Sequence, residues 1–327
     1  MPIITPQPFK NPFGYWNGHL QTILPSVFRK IPLPYEKRHR IFTPDNDFLD
    51  IDCTSQQHSN LVIVLHGLEG NSYRHYVCGL IKLFQQHGWD GVGYNCRSCS
   101  GELNWQPRLY HHADSEDFAF AIDFILQSTS YQNIALVGFS MGGNILIRYL
   151  AKFAEHLSPL IKVGVAISSP YHLKEVAIEI EKPLKRFYND KFVKKMIKKV
   201  IQKKKILKEK FPIDEKDIFK IRTCRDFDKL ITAPLHGFAN PDEFYEQASI
   251  STHIHKVKIP ILLLSASNDP LLTPSCFPYQ TAQNSYNFYL EVTHSGGHVG
   301  FCVQNSVFTY AEQRALAFCQ HFISSKL

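Results

Sequence analysis

The stretch Ile134-Ala-Leu-Val-Gly-Phe-Ser-Met-Gly142 carries the strongest structural signal in this chain of 327 residues. An apolar, β-rich run ends here in Gly138-Phe-Ser-Met-Gly142, and an amphipathic stretch follows over 144–155. A buried strand that turns sharply into a helix explains both patterns, because the glycines let neighbouring backbones pass without Cβ clashes. The sequence therefore predicts a strand, a tight turn that raises Ser140, and a helix.

Short apolar runs alternate with helix-period stretches along most of the chain. We predict strands at 61–65, 91–94, 134–137, 163–167, 261–265 and 288–292. We predict helices at 74–87, 114–127, 144–155 and 308–322, with an antiparallel hairpin ahead of them at 41–52. Strands that alternate with helices are typical of a mostly parallel sheet flanked by helices. The predicted fold class is α/β, in a single domain over 1–327.

A segment at 171–249 interrupts this alternation. It is helical in pattern and rich in lysine: His172 to Arg222 hold 17 Lys and Arg against 8 Asp and Glu, whereas the whole chain carries a net charge of +7. Because strands resume after it, we interpret it as a helical cap inserted into the α/β domain. Within it, apolar pairs at 192/193, 196/197 and 200/201 alternate with lysine pairs at 194/195 and 198/199.

This pattern predicts a helix with an apolar face against the core and a basic, solvated face. A basic amphipathic helix of this kind could also hold the protein weakly at a membrane surface.

A serine on a tight strand-to-helix turn can act as a nucleophile when a histidine, oriented by a carboxylate, serves as its base. Asp269 and His298 each follow a later predicted strand, at the sheet edge where ligand groups collect. Their order after the serine is the one expected of serine hydrolases with a parallel sheet. We therefore predict a catalytic triad of Ser140, Asp269 and His298. Without chemistry, the three would be a turn serine, an aspartate that caps a turn and a loop histidine.

The oxyanion of a tetrahedral intermediate needs two backbone N–H donors. We predict them at Met141, which follows the nucleophile, and at Leu68, in Leu65-His-Gly-Leu-Glu-Gly70. His294 is an alternative base, but it follows its strand directly and lacks the glycine-rich context of His298. We expect His66 to order its own loop and not to act as a base.

Further motifs over nearly the whole length resemble those of one family. They are Trp16-Asn-Gly-His-Leu-Gln-Thr-Ile23, His66-Gly-Leu-Glu-Gly70, Asn95-Cys-Arg-Ser-Cys-Ser-Gly101, Tyr110-His111 with Glu116-Asp117, His236-Gly-Phe238, and Tyr245 with Ala248-Ser249. With them, the chain resembles the YheT-like branch of the α/β-hydrolases, which is related to the eukaryotic ABHD hydrolases. The resemblance implies the α/β-hydrolase fold, the same triad, and carboxylesterase or acylglycerol hydrolase activity. Ser98 departs from the glycine that is common in the family.

The eight cysteines show no disulfide framework, and the first residues lack a basic region followed by an apolar run. No apolar stretch reaches the roughly 20 residues of a membrane-spanning helix. We therefore expect a cytoplasmic protein with reduced thiols, which could bind peripherally at a membrane. Cys96 and Cys99 have the spacing of half a zinc site, but no second pair accompanies them. We expect no metal and no cofactor, and no nucleic-acid partner, because the basic charge is confined to one segment.

These features predict a serine hydrolase that cleaves carboxylic esters, of the short-chain or acylglycerol type, through an acyl-enzyme. Its partner would be a small-molecule or lipid ester substrate. Two alternatives stay open: an acyltransferase with the same triad, and a non-catalytic, membrane-associated protein of the same fold. A serine at the turn argues against a dehalogenase or an epoxide hydrolase, because their ester intermediate forms on an aspartate.

Overall fold

Nine strands form one sheet in the computed structural model, which describes residues 2–128, 130–211 and 214–324. The strands are β1 (Ile3–Ile4), β2 (Lys37–Thr43), β3 (Asp47–Cys53), β4 (Asn60–Leu65), β5 (Trp89–Tyr94), β6 (Asn133–Phe139), β7 (Ile161–Ile167), β8 (Ile261–Ala266) and β9 (Phe288–Thr293). Their order across the sheet is β1-β9-β8-β7-β6-β4-β5-β3-β2. All neighbours from β1 to β5 in that order pair in parallel, and β3 and β2 add an antiparallel edge. The predicted α/β class is confirmed.

The helices lie on both faces of this sheet and in a long segment between β7 and β8. They are α1 (Gly18–Phe28), α2 (His75–Gln85), α3 (Ser115–Ser128), α4 (Met141–Lys152), α5 (Leu173–Glu179), α6 (Arg186–Gln202), α7 (Lys204–Lys210), α8 (Glu215–Ile218), α9 (Cys224–Phe227), α10 (Ala233–His236), α11 (Pro241–Ala248), α12 (Ile250–His253), α13 (Tyr279–Gln283) and α14 (Tyr310–Ser324). A π-helical turn over Asp228–Thr232 joins α9 to α10.

Each central strand buries side chains on both of its faces. In β4, Leu61, Ile63 and Leu65 belong to the core under α3 and α4, whereas Val62 and Val64 belong to the core under α2 and α14. Strands buried on both faces are apolar throughout, which is why they stand out in the sequence as continuous apolar runs. Because β4, β6, β8 and β9 run in parallel, the loops that follow them meet at one edge of the sheet.

The residues between β7 and β8, 168–260, form an inserted segment with a series of helices between Leu173 and Lys256, joined by turns. Residues 212–213 lie outside the described residues. Its helix α6 packs its apolar side inward, with Val193 and Val200 buried and Phe192 and Met196 partly buried against the core. This agrees with the apolar face predicted for that helix.

The predicted basic face of α6 is wrong in part. Lys194 and Lys198 are exposed, but the Lys199 side chain is 15% exposed and binds Glu69 at 2.9 Å, and Lys195 is half-buried. Lys203 is fully buried and donates to two loop carbonyl oxygens. Consecutive helical residues point about 100° apart. The two lysines of each pair therefore lie on different sides of the helix. Lys195 and Lys199 lie on the side that faces the loop after β4.

Ser98 adopts a left-handed backbone with φ of 59°. Glycine has no steric penalty in this region, which explains why relatives can carry glycine there. All eight cysteines are free thiols, and Cys96 and Cys99 are both buried. Across the described ranges, no group of three or more His, Cys, Asp and Glu side chains is placed to hold a metal ion. None of the helices in the described part of the chain is long and apolar enough to cross a membrane.

Candidate active site

Ser140 lies at the sharp turn between β6 and α4. Its φ of 52° and ψ of −120° fall in a region that side-chain-bearing residues rarely adopt. The flanking glycines permit this turn: a Cβ on Gly138 would lie 2.4 Å from the Gly142 oxygen, and one on Gly142 would lie 2.6 Å from the Leu65 oxygen. The strand, turn and helix predicted from the sequence are therefore present, and they raise Ser140 above the end of β6.

The structure brings together the three residues predicted to form the triad. The His298 ring places Nε2 3.0 Å from the Ser140 Oγ and Nδ1 2.8 Å from the Asp269 Oδ2. The other Asp269 oxygen accepts the backbone N–H groups of Leu271, at 2.8 Å, and Leu272, at 3.3 Å. In the tautomer with the proton on Nδ1, the imidazole would donate to this carboxyl oxygen and turn the Nε2 lone pair toward the serine.

The two candidate histidines therefore differ in their surroundings. The His298 side chain is 11% exposed, and its backbone is anchored to α1, because its N–H donates to Thr22 Oγ1 at 2.8 Å. His294 is exposed, and its carbonyl oxygen accepts from the Ser267 hydroxyl at 3.2 Å. Of the two histidines, His298 is the one that contacts Ser140 in the described residues.

The loop after β4 lies directly beside the serine. A Cβ on Gly67 would lie 3.2 Å from the Ser140 Cβ. In the part of the chain that the structure describes, the N–H groups of Leu68 and Met141 donate to no protein acceptor. Two free N–H donors beside a serine hydroxyl are the arrangement that an oxyanion would require.

His66 orders this loop from within the core, as predicted. It is fully buried, its Nδ1 donates to the Gly67 oxygen at 2.7 Å, and its Nε2 accepts the Cys96 N–H at 3.2 Å. Burial lowers the pKa of His66 to about 4, so the ring is neutral at physiological pH. Both ring nitrogens are occupied, which leaves neither free to act as a base.

Comparisons with known proteins agree with this architecture. Residues 60–190 match the family model of the alpha/beta hydrolase fold. YheT of Escherichia coli (strain K12), named as a candidate esterase, is 33% identical over 294 residues, which cover 88% of this chain and 85% of that protein. The chain belongs to the YheT-like α/β-hydrolases. The family resemblance inferred from the sequence motifs is thereby confirmed.

Other relatives of this α/β-hydrolase include two with lipid-related names. The monoacylglycerol lipase of Saccharomyces cerevisiae is 28% identical over 272 residues, 81% of this chain and 59% of that protein. Human phospholipase ABHD3 is 28% identical over 296 residues, 88% of this chain and 71% of that protein. Among solved structures, an esterase from Pyrococcus furiosus aligns with a TM-score of 0.58 at 17% identity over 98% of both chains, and this likeness concerns the fold alone.

Helix α1 of this α/β-hydrolase holds the loops of Asp269 and His298 in place, a role that the sequence analysis missed. The Gln21 side chain is buried, and its Oε1 accepts both the Gly296 N–H, at 2.7 Å, and the Asn268 Nδ2–H, at 2.9 Å. Neighbouring Thr22 accepts the His298 N–H. The only sequence signal was the motif over 16–23, to which the resemblance attached no function.

We expect Gln21→Ala to lower both stability and turnover. It leaves the Gly296 N–H and the Asn268 amide without an acceptor, which costs about 1–3 kcal/mol in the free energy of unfolding. Without these hydrogen bonds, the loops that carry Asp269 and His298 would shift, so kcat should fall about tenfold to a hundredfold. Urea unfolding and ester kinetics measure the two effects. Val27→Ala, at an exposed position of the same helix, is the control. Wild-type kcat in the Gln21 variant would contradict a positioning role.

Two pockets of the α/β-hydrolase meet at Ser140 and His298. The inner pocket extends under the inserted segment. Most of its wall is apolar, from Leu173, Val176, Ala177, Ile180, Phe192, Met196, Phe227, Phe244 and Leu271. The outer pocket lies between α1, the loop after β4, the start of α2, and α6. Ser140 therefore lies between two pockets with different surroundings.

Proposed function

We propose that the protein is a serine hydrolase that cleaves carboxylic esters through an acyl-enzyme. The observation that carries this proposal is the unbroken hydrogen-bond chain from Asp269 through His298 to the Ser140 hydroxyl, at 2.8 and 3.0 Å. The relatives named as an esterase, a monoacylglycerol lipase and a phospholipase support the same reaction class.

The first half-reaction forms the acyl-enzyme. His298 Nε2 takes the proton as the Ser140 Oγ attacks the acyl carbon, and the carbonyl electron pair moves onto oxygen. The N–H groups of Leu68 and Met141 stabilise this oxyanion, and each such donor typically contributes about 2.7–4 kcal/mol. When the carbonyl re-forms, the C–O bond to the alcohol breaks, and His298 returns the proton to the departing oxygen.

The second half-reaction uses water in the same way. His298 removes a proton from water as the water oxygen attacks the acyl carbon, and collapse of the second tetrahedral intermediate releases the acid and the Ser140 hydroxyl. Asp269 holds the productive tautomer and stabilises the imidazolium in both halves. None of these steps needs a cofactor.

We further propose that residues 171–249 act as a cap that selects the acyl chain. The apolar wall of the inner pocket comes largely from this segment, including Phe192 and Met196 of α6. A hydrocarbon chain gains about 0.8 kcal/mol for each buried CH₂ group. The apolar wall supports an acyl chain of several carbons in the inner pocket.

A panel of p-nitrophenyl esters and monoacylglycerols of graded chain length tests the function. We expect kcat/KM to rise with each added CH₂ until the inner pocket is filled, and free acid and alcohol to appear in equal amounts. A burst of nitrophenol equal to the enzyme concentration would mark the acyl-enzyme. The same assay with an added alcohol acceptor separates hydrolysis from acyl transfer, because a transferase would release a new ester in place of the acid. Absence of turnover for every ester would contradict the proposal.

We also propose that the inserted segment associates weakly with anionic membranes. Lys194 and Lys198 are exposed on α6, and each lysine near an anionic surface contributes about 1 kcal/mol. We expect Lys194→Gln with Lys198→Gln to weaken binding to anionic vesicles about thirtyfold at low salt. At physiological salt, where the Debye length is about 8 Å, wild-type binding should largely disappear. Vesicle co-sedimentation measures both, and wild-type protein that stays in the supernatant at low salt would contradict the proposal.

A further inference from the structure

The outer pocket differs from the inner one in its charged side chains. Among the residues that line the inner pocket, Asp228 is the one Asp, Glu, Lys or Arg side chain. Its two oxygens accept hydrogen bonds from Thr232, at 2.8 Å, and Tyr245, at 3.0 Å. The outer pocket is lined instead by Arg74, Lys191 and Lys195. Burial raises the pKa of Asp228 to about 7, so this carboxyl is only partly ionised at neutral pH. A bound ester therefore meets a largely apolar wall on one side of Ser140 and cations on the other.

The three cations of the outer pocket are not neutralised by a carboxylate. The acidic residue that lines the pocket is Glu69, whose Oε1 binds Lys199 at 2.9 Å and accepts from the Tyr110 hydroxyl at 2.6 Å. Arg74 donates to the Glu69 backbone oxygen at 3.0 Å, and Lys195 Nζ lies 3.5 Å from the same oxygen. No carboxylate contacts Arg74, Lys191 or Lys195 in the described portion of the chain.

The lowered pKa of Lys195 agrees with an excess of positive charge in the outer pocket. Burial lowers the pKa of its ammonium group, and the charges of Arg74, Lys191 and Lys199 lower it further against the opposing effect of Glu69. A bound anion would relieve this repulsion.

The start of helix α2 adds to the same effect. Its N-cap residue is Arg74, whose side chain makes no capping hydrogen bond, and its first residues, His75 and Tyr76, line the outer pocket. The N-terminus of an 11-residue helix carries a partial positive charge and free N–H groups, which favour anions. Three unpaired cations and an uncapped helix start thus surround one wall of the pocket beside Ser140.

We propose that the outer pocket binds the alcohol part of the ester, and that this alcohol carries a phosphate group. The inference rests on the proposed ester hydrolysis and names its substrate class. The acyl chain occupies the inner pocket, because its largely apolar wall solvates an anion poorly. The phosphate lies against Lys191, Lys195 and the start of α2, whether it comes from a lipid headgroup or from a small phosphorylated alcohol.

The test compares two esters with the same acyl group, hexanoylglycerol and hexanoylglycerol 3-phosphate, both kept monomeric. Charge-assisted contacts typically give tenfold or more in affinity each. We expect the wild type to prefer the phosphate ester at least tenfold in kcat/KM, and Lys191→Gln with Lys195→Gln to abolish this preference. Lys205→Gln with Lys208→Gln, which removes two exposed charges from α7, should keep both the preference and the activity. Glycerol 3-phosphate should inhibit the wild type competitively, and glycerol should not.

Other results would separate a failure of the phosphate site from a failure of ester hydrolysis. Hydrolysis of both esters at equal rates, or a preference that appears only above the critical micelle concentration, would overturn the phosphate site and leave ester hydrolysis standing. No hydrolysis of either ester would overturn the proposed function itself. A matched pair of palmitoyl esters identifies the source of the phosphate. If the phosphate belongs to a lipid headgroup, kcat/KM should be higher for the palmitoyl ester than for the hexanoyl ester.

Discussion

Ser140→Ala is expected to abolish ester hydrolysis, with a loss in kcat of about 10⁶-fold, as for a serine protease that loses its nucleophile. The hydroxyl is the atom that forms the bond to the acyl carbon, and alanine offers no replacement. The effect should be confined to turnover, because the removed oxygen contacts His298 at the edge of a pocket and supports no core packing.

Two checks make this result specific. The thermal midpoint of the Ser140 variant should stay close to that of the wild type, which excludes loss of folded protein as the cause. Ser267→Ala, at an exposed serine that follows β8, should retain full activity. Turnover of the Ser140 variant within tenfold of the wild-type rate would contradict its role as the nucleophile.

Asp269→Asn is expected to lower kcat by about 10⁴-fold with little change in the fold. The backbone N–H of Leu271 continues to need an acceptor, so the amide oxygen faces it and the amide NH₂ turns toward His298. The imidazole then accepts on Nδ1 and carries its proton on Nε2. In this tautomer it cannot take the proton of Ser140.

Replacement of the two histidines tests which of them is the base. His298→Ala should lower kcat about as strongly as the loss of Ser140, because the three groups act as a unit. His294→Ala provides the matched control and should leave most of the activity, since His294 is exposed and does not contact the serine. The opposite ranking of the two histidine variants would show that the base is misassigned.

The parts of the fold and site that could be predicted from the sequence share a local signal. The central strands are buried on both faces, so they appear as continuous apolar runs whose positions agree with β4 to β9 within a few residues. Ser140 is recognisable because the tight turn needs glycine at fixed offsets. Asp269 and His298 are recognisable because each follows a strand at the same sheet edge.

The parts that could not be predicted depend on contacts between distant segments. Gln21 holds a loop near residue 296, and no periodic pattern connects two positions so far apart in the chain. Lys199 appeared to be one of a solvated group of lysines, because helical periodicity alone does not show that Glu69 faces one flank of α6. The two-residue strand β1 is too short to give a signal, since it exists only by pairing with β9.

The most direct test of Ser140 as the nucleophile is the reaction of the purified protein with a fluorophosphonate probe, followed by intact-mass measurement and peptide mapping. An activated serine attacks the phosphorus, releases fluoride and keeps the probe covalently. We predict one probe per chain, located on Ser140, with loss of esterase activity in proportion to labelling and no labelling of Ser140→Ala. A probe mapped to another residue, or an active enzyme that takes up none, would contradict it.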